Sequence, residues 1–333
     1  MTRAAVLAGL GGFLPPRAVS NDDLAASMDT TDAWIRSRTG ITRRYFAEAG
    51  STTSDLAVGA GELALKSSGR TAVDALVLAT TTPDRPCPAT APVVADRLGL
   101  SGIAAYDVAA VCTGFVYALA NAAGLIAAGI AERVLVIGAE TFSTIVNPND
   151  RSTAVIFGDG AGAVVLRAGQ GDEPGAFGAF DLGSDGADAD LITVRGGGAA
   201  ERLSGAPANE QDRYFSMAGR EVFRRAVEHM AESTRSVLGR AGWTPADLDW
   251  LVCHQANLRI VLSLAGQLGL DAARAVTNIA QVGNTSAASI PLALAHAHAA
   301  GVFSPGDKLA LTAFGGGLTW GSTTLTWPDI TVP

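Results

Sequence analysis

The stretch "DVAAVCTGF", residues 107–115, decides how the rest of the chain is read. Residues 105–110 form a small, apolar run that fits a strand, and residues 113–130 carry an apolar helical pattern. One cysteine, Cys112, stands at the junction. A helix start favours negative charge and lowers a thiol's pKa, which would make Cys112 a nucleophile. A buried structural cysteine fits the same letters, because free cysteine is among the most buried residue types. The chain holds only three cysteines, Cys87, Cys112 and Cys253, too few and odd in number for a disulfide scaffold.

Outward from this junction, strand patterns at 4–9, 73–80 and 133–139 and 161–167 alternate with helical patterns at 54–66 and 90–98. The rhythm continues with strands near 177–182, 248–253, 308–313 and 322–327. Helices fit 218–241, 257–268 and 284–300. Such alternation predicts an α/β fold with buried strands. No linker divides the 333 residues, and the Gly-rich run 183–206 reads as a long surface excursion. The pattern is that of two similar halves, 1–168 and 169–333, the first with the cysteine and the second with the histidine and the Gly-rich loop described below.

Composition sets limits. With 48% hydrophobic and 17% charged residues the chain can build a large core. A formal charge of −8 argues against general nucleic-acid binding. The longest apolar stretch, near 115–130, is broken by Asn121, Gly124 and Gly129 and falls short of a membrane span. With no charged and apolar leader pattern, a cytoplasmic location is expected.

Three further segments bear on Cys112. His254 follows the apolar "LDWLVC" and opens "HQANLRI", at a strand end, where ligand chemistry collects in α/β folds. His229 reads as a solvated helix-face residue, and His296 and His298 lack the i, i+4 spacing of a metal pair. In "QVGNTSAAS", residues 281–289, Asn284 reads either as a helix N-cap or as an amide donor facing a site. In "AFGGGLTWGS", residues 313–322, three glycines either make a sharp turn or let the backbone approach a substrate. Phosphate-loop signatures are missing from this run and from "FGDGAGA", residues 157–163, which precedes a strand rather than following one.

Taken together, "DTTDAWIRSRTGI", "DVAAVCTGF", "DRSTAVIFGDGAGAVVL", "HQANLRI", "GNTSAAS" and "AFGGGLTWGS" occur in the order seen in the β-ketoacyl-acyl-carrier-protein synthase III family of thiolase-like condensing enzymes, which the chain resembles over nearly its whole length. The resemblance implies a duplicated five-layered α/β/α/β/α fold and a homodimer. It assigns acyl acceptance to Cys112, the other two catalytic positions to His254 and Asn284, and an oxyanion hole to the amides of Cys112 and Gly316. It also implies coenzyme A contacts at Thr30, Trp34, Arg38, Arg151, Phe223 and Asn257, an acyl pocket bounded by Phe142 and a partner's Cys87, and carrier-protein docking at Arg259.

The implied reaction loads an acyl group from acyl-CoA onto Cys112. Condensation with malonyl-carrier protein, with loss of CO₂, then gives a 3-ketoacyl product without metal or cofactor. Within the same fold the alternative is a starter-unit synthase or acyltransferase of secondary metabolism. Outside it, the order Cys, His, Asn also fits a papain-like protease, although "CTGF" is not that family's signature. Arginines clustered at Arg36, Arg38, Arg43 and Arg44, and at Arg220, Arg224 and Arg225, are the basic patches expected to meet an acidic carrier protein.

Overall fold

The computed structural model describes residues 3–207 and 209–331. Two β-sheets organise it. The first has five strands in the order Ala4–Phe13, Gly160–Gly169, Arg133–Glu140, Ala75–Ala79 and Ala104–Val108. Its last three strands run parallel, and Gly160–Gly169 joins them and Ala4–Phe13 antiparallel. The second has four strands, Trp250–Cys253, Lys308–Gly315, Thr319–Thr326 and Phe177–Ser184, with only the first pair parallel. Ala75–Ala79 is buried at every residue, and Arg133–Glu140 at every residue after the first, as strands covered on both faces should be.

Two helices lie between the sheets, Gly114–Ala127 and Ser289–Ala299. The second is buried from Ser289 to Ala295 without a break, so it has no polar face to offer water. Close approach here depends on missing side chains: a Cβ on Gly138 would strike the Ala287 carbonyl oxygen, and one on Gly162 would come within 2.7 Å of Pro291. Thr53–Ser67, capped by a reciprocal Thr52–Asp55 box, covers the outer face of the first sheet. Gly219–Ala241 and Leu258–Leu268 cover the second. The expected five layers, α/β/α/β/α, are thus present.

Local departures from the sequence reading have physical causes. The helix expected over 284–300 begins at Ser289, because Ser286 takes φ 48° and interrupts the helical path. The run 183–206 is not all surface: Ile192–Thr193 pairs with Ser216–Met217, and Ala199–Leu203 is a short helix. Arg44, expected in a basic patch, is fully buried and donates to Asn21 Oδ1 at 2.8 Å and to the Val155 carbonyl at 2.7 Å. His229, expected on a solvated face, stacks on Trp320 at 4.1 Å between ring centroids. No helix among the described residues is long and apolar enough to cross a membrane.

Candidate active site

The first sheet delivers Cys112. Its edge strand Ala104–Val108 ends, Val111 turns the chain at φ 46°, and a 3₁₀ turn over Val111–Thr113 feeds the helix Gly114–Ala127. A left-handed conformation is unusual for a β-branched residue and marks a strained turn. The glycine run of the second sheet backs directly onto it. A Cβ on Gly315 would sit 2.9 Å from the Cys112 amide nitrogen and 3.0 Å from that of Thr113. The Thr113 hydroxyl donates to the Thr319 carbonyl at 3.1 Å, tying the turn to the next strand. Gly316, the middle glycine, packs against Val111 and Ile192.

His254 follows the strand Trp250–Cys253, and its amide donates to the Thr312 carbonyl at 2.9 Å. The side chain is 2% exposed, and among the described residues neither ring nitrogen has a hydrogen-bond partner. Burial pushes its pKa down to about 3, so the ring is neutral at pH 7 and can donate from one nitrogen. Gln255, fully buried, holds this segment: its side-chain amide donates to the carbonyls of Cys253 at 2.9 Å and Val276 at 3.0 Å.

Asn284 comes from a loop that leaves the second sheet and bridges to Phe157. Its amide donates to the Ile156 carbonyl at 2.9 Å, and its carbonyl accepts from the Gly158 amide at 2.9 Å. Its side-chain oxygen accepts from the Ser286 amide at 2.9 Å. The cap-like bond therefore uses Oδ1, and among the described residues the Nδ2 donor of this cavity-lining residue is uncommitted. Cys112, His254 and Asn284 line one cavity of about 40 Å³ with otherwise apolar walls that include Phe157, Ile192, Phe215 and Phe314.

The thiol is not the low-pKa group that a helix start alone would suggest. Burial pushes Cys112 up to about 12; the Ser286 hydroxyl pulls it back and the Glu140 carboxylate adds to the rise. Glu140 is fully buried at the end of Arg133–Glu140. It accepts from the hydroxyls of Thr82 at 2.8 Å and Ser286 at 3.0 Å and from the Thr81 amide at 3.1 Å. These donors favour the charged form, yet burial outweighs them and raises the carboxyl pKa to about 7.

A rim forms nearby. Arg38 and Arg151 lie over the Trp34 ring at 4.6 and 5.2 Å, and Arg151 donates to the Asp29 carbonyl at 2.7 Å. Asn257 donates to the Arg38 carbonyl at 3.0 Å and caps Leu258–Leu268 through the Arg259 amide. Thr30 is half-buried, its hydroxyl oxygen without a partner among the described residues. Phe223 is half-buried and packs against the core between the second sheet and its outer helices. Arg259 is exposed. Cys87 is exposed in a loop and is not among the cavity's walls. Phe142, fully buried, stands behind the wall, stacked on Phe157 at 4.2 Å.

Sequence reasoning passed over Glu140, Ser286, Gln255 and Ile192. A carboxylate closing the apolar run "RVLVIGAE" was the available signal for the first; a buried strand end has no water to solvate it.

The comparisons with known proteins agree with one another. The family model for 3-oxoacyl-[acyl-carrier-protein (ACP)] synthase III matches residues 106–186, and the model for its C-terminal part matches 238–327. A β-ketoacyl-[acyl-carrier-protein] synthase III of Streptomyces coelicolor is 63% identical over 332 residues, covering 99% of both chains. The crystal structure of 3-oxoacyl-(acyl carrier protein) synthase III from Pseudomonas aeruginosa superposes with a TM-score of 0.92 at 53% identity, over 99% of this chain and 100% of that one. The priming β-ketosynthase of the R1128 polyketide pathway gives a TM-score of 0.91 at 33% identity, over 98% and 97% of the two chains.

Proposed function

The chain belongs to the 3-oxoacyl-[acyl-carrier-protein] synthase III family of acyl-transferring condensing enzymes, and from that premise we propose that Cys112, His254 and Asn284 carry its reaction. The observation that supports this reading is that one apolar-walled cavity has all three in its lining.

Cys112 sulfur attacks the thioester carbon of an acyl-CoA. The oxyanion that develops is met by the amides of Cys112 and Gly316, fixed donors that need no reorganisation as charge appears. Coenzyme A departs, and malonyl-carrier protein brings the second thioester. Neutral His254 and the free Nδ2 of Asn284 donate to that thioester's oxygen while CO₂ leaves, which stabilises the enolate. The enolate carbon then attacks the acyl-Cys112 thioester and the 3-ketoacyl-carrier protein is released. A dry cavity strengthens each of these bonds.

Trp34 with Arg38 and Arg151 offers an aromatic face and two cations to the nucleotide end of coenzyme A, with Thr30, Phe223 and Asn257 along the approach to the cavity. Arg259 supplies an exposed cation for the acidic carrier protein. We further infer two thiolase-like halves, 1–168 and 169–333, and a cytoplasmic homodimer. In it the exposed loop around Cys87 reaches the partner's acyl pocket, with Phe142 packed behind that pocket's wall.

Intact-mass spectrometry tests the reading. Incubation with a panel of acyl-CoAs should add one acyl group to the wild type and none to Cys112→Ser. Adding malonyl-carrier protein should then clear the adduct and yield the ketoacyl product. An adduct that persists in its presence would make the protein a simple acyltransferase.

A further inference from the structure

The mechanism above needs a sulfur anion, and the resting cavity holds a thiol. Something must take the proton. His254 is in place but poorly suited: burial that drives its pKa to about 3 makes it a weak base. Glu140 has no part in the chemistry so far. It is fully buried, and among the described residues no lysine, arginine or histidine bonds to it. The segments packed against it, Thr80–Thr82 and Ser286–Ala287, present only hydroxyls and amides. Among the described residues, Cys112 is the titratable group whose pKa the Glu140 charge raises.

One residue joins the two. The Ser286 hydroxyl donates to Glu140 Oε1 at 3.0 Å, and its 3₁₀ turn packs against the turn that carries Cys112, whose thiol pKa the hydroxyl pulls down. Ser286 is held there in a conformation that costs energy, at φ 48°, with its amide fixed on Asn284 Oδ1. With its one hydrogen on the carboxylate, the hydroxyl keeps oxygen lone pairs that can accept a proton from the thiol.

We propose that Glu140, acting through the Ser286 hydroxyl, is the positioning residue that accepts the Cys112 proton as the sulfur attacks the acyl thioester. This rests on Cys112 being the nucleophile. As the S–C bond forms, the thiol proton passes to Ser286 Oγ and the Ser286 proton passes to Glu140, leaving a neutral carboxylic acid. Coenzyme A leaves as a thiolate and is protonated by solvent. Glu140 stays protonated through the acyl-enzyme stage. When the condensation intermediate collapses and expels the Cys112 thiolate, the proton returns by the same route. One solvent proton is consumed per turnover, and the buried pair never carries two negative charges.

The pH dependence follows. Glu140 must begin as a carboxylate, so single-turnover acylation should rise with pH through about 7, where this carboxyl titrates. A purely electrostatic neighbour predicts the reverse on substitution: removing a negative charge beside the thiol would make it more reactive.

The test is the pH profile of single-turnover acylation by acetyl-CoA, followed by intact mass, for wild type, Glu140→Gln, Glu140→Asp and Ser286→Ala. The proposal expects Glu140→Gln and Ser286→Ala to acylate about 100-fold more slowly, to lose the rise near pH 7, and Glu140→Asp to recover part of both. Should Glu140→Gln not fold, Ser286→Ala, which keeps the carboxylate, decides by the same readout. Variants that acylate as fast as wild type, or faster, or keep the midpoint, overturn the relay. A wild type that forms no adduct on Cys112 would instead overturn the nucleophile reading beneath it.

Discussion

In the first sheet, the edge strand Ala104–Val108 runs to Val111 at φ 46°, a 3₁₀ turn, and the buried helix Gly114–Ala127. In the second, the chain reaches Ser286 at φ 48°, a 3₁₀ turn, and the buried helix Ser289–Ala299. Val111 and Ser286 are the two non-glycine residues with positive φ among those described, and they precede the two central helices. What comes before them differs. The first sheet has a full edge strand, whereas the second has in its place a single parallel bridge, Leu251 to Ala275. The chain released from pairing crosses over and bonds to Ile156 and Gly158 of the other half. The residue after Val111 is Cys112, and the residue after Ser286 is Ala287, packed against the first sheet. Two similar turns therefore serve differently: one presents Cys112, the proposed nucleophile, and the other brings in Asn284 and a hydroxyl bonded to Glu140.

The largest effects should come from breaking this division of labour. Cys112→Ser should abolish the acyl adduct. His254→Ala and Asn284→Ala should leave the adduct nearly intact while slowing condensation about 10²- to 10³-fold each, the usual cost of one lost donor at a developing oxyanion. Separate assays of acylation and of ketoacyl-carrier-protein formation check it. Loss of the adduct in His254→Ala as complete as in Cys112→Ser would mean that the two turns do not divide the chemistry.

Packing between the halves is the next point of attack. Gly138→Ala drives a methyl into the Ala287 carbonyl, and neither backbone can yield without moving a sheet or a central turn. A loss of about 3 kcal/mol is expected, at the upper end for overpacking. Gly124→Ala is the control: it lies in the helix Gly114–Ala127, exposed, with nothing among the described residues within 4 Å of an added Cβ. It should gain about 0.5–1 kcal/mol from helix propensity and a less flexible unfolded chain. Urea unfolding of both variants measures the contrast, and equal stabilities would show that the close approach carries no weight.

These contrasts also show what the letters could and could not carry. Strands buried on both faces and helices packed between them leave long apolar runs, so residues 133–139 and 218–241 were legible almost to their ends. Cys112 stood out as a single thiol at a strand-to-helix junction. The start of Ser289–Ala299 was illegible because "GNTSAAS" reads as a helix cap, and only the φ of Ser286 separates a cap from a crossing loop. Glu140 was illegible for another reason. Its partners Thr82 and Ser286 lie 58 and 146 residues away, and a carboxylate at a strand end ordinarily reads as solvated. Arg44 failed likewise: four arginines within nine residues look like one patch, but strand alternation turns this one inward.

The two halves should also answer pH in opposite senses. Glu140, raised from 4.5 to about 7, holds its proton more firmly folded than unfolded. Its contribution is complete below pH 4.5 and is lost as pH rises through 7, by about 3 kcal/mol. His254, lowered from 6.5 to about 3, does the reverse: its contribution is complete above pH 6.5 and is lost as pH falls toward 3. Between pH 4.5 and 6.5 the two oppose each other. Urea midpoints across that range should show Glu140→Gln gaining on wild type as pH rises and His254→Ala gaining as pH falls. Parallel curves for all three proteins would mean that neither group titrates as its surroundings dictate.

The smallest effects belong to the rim, where each half contributes a different kind of contact. Trp34, from the first, lies under two guanidinium groups, and Arg259, from the second, is exposed at the start of Leu258–Leu268 and makes no ion pair among the described residues. Arg224 is the internal control, since it is already engaged with Glu221 and Glu228. Trp34→Ala should raise KM severalfold for acyl-CoA and leave the carrier protein's unchanged. Arg259→Glu should do the opposite, and its effect should shrink at high salt, as expected of an exposed charge. Arg224→Glu should change neither KM, because a solvated helix pair contributes little to begin with. If Arg259→Glu moved both constants together, the defect would lie in the Asn257 cap and the shared rim behind it, and the two substrates would have to be approaching over the same surface.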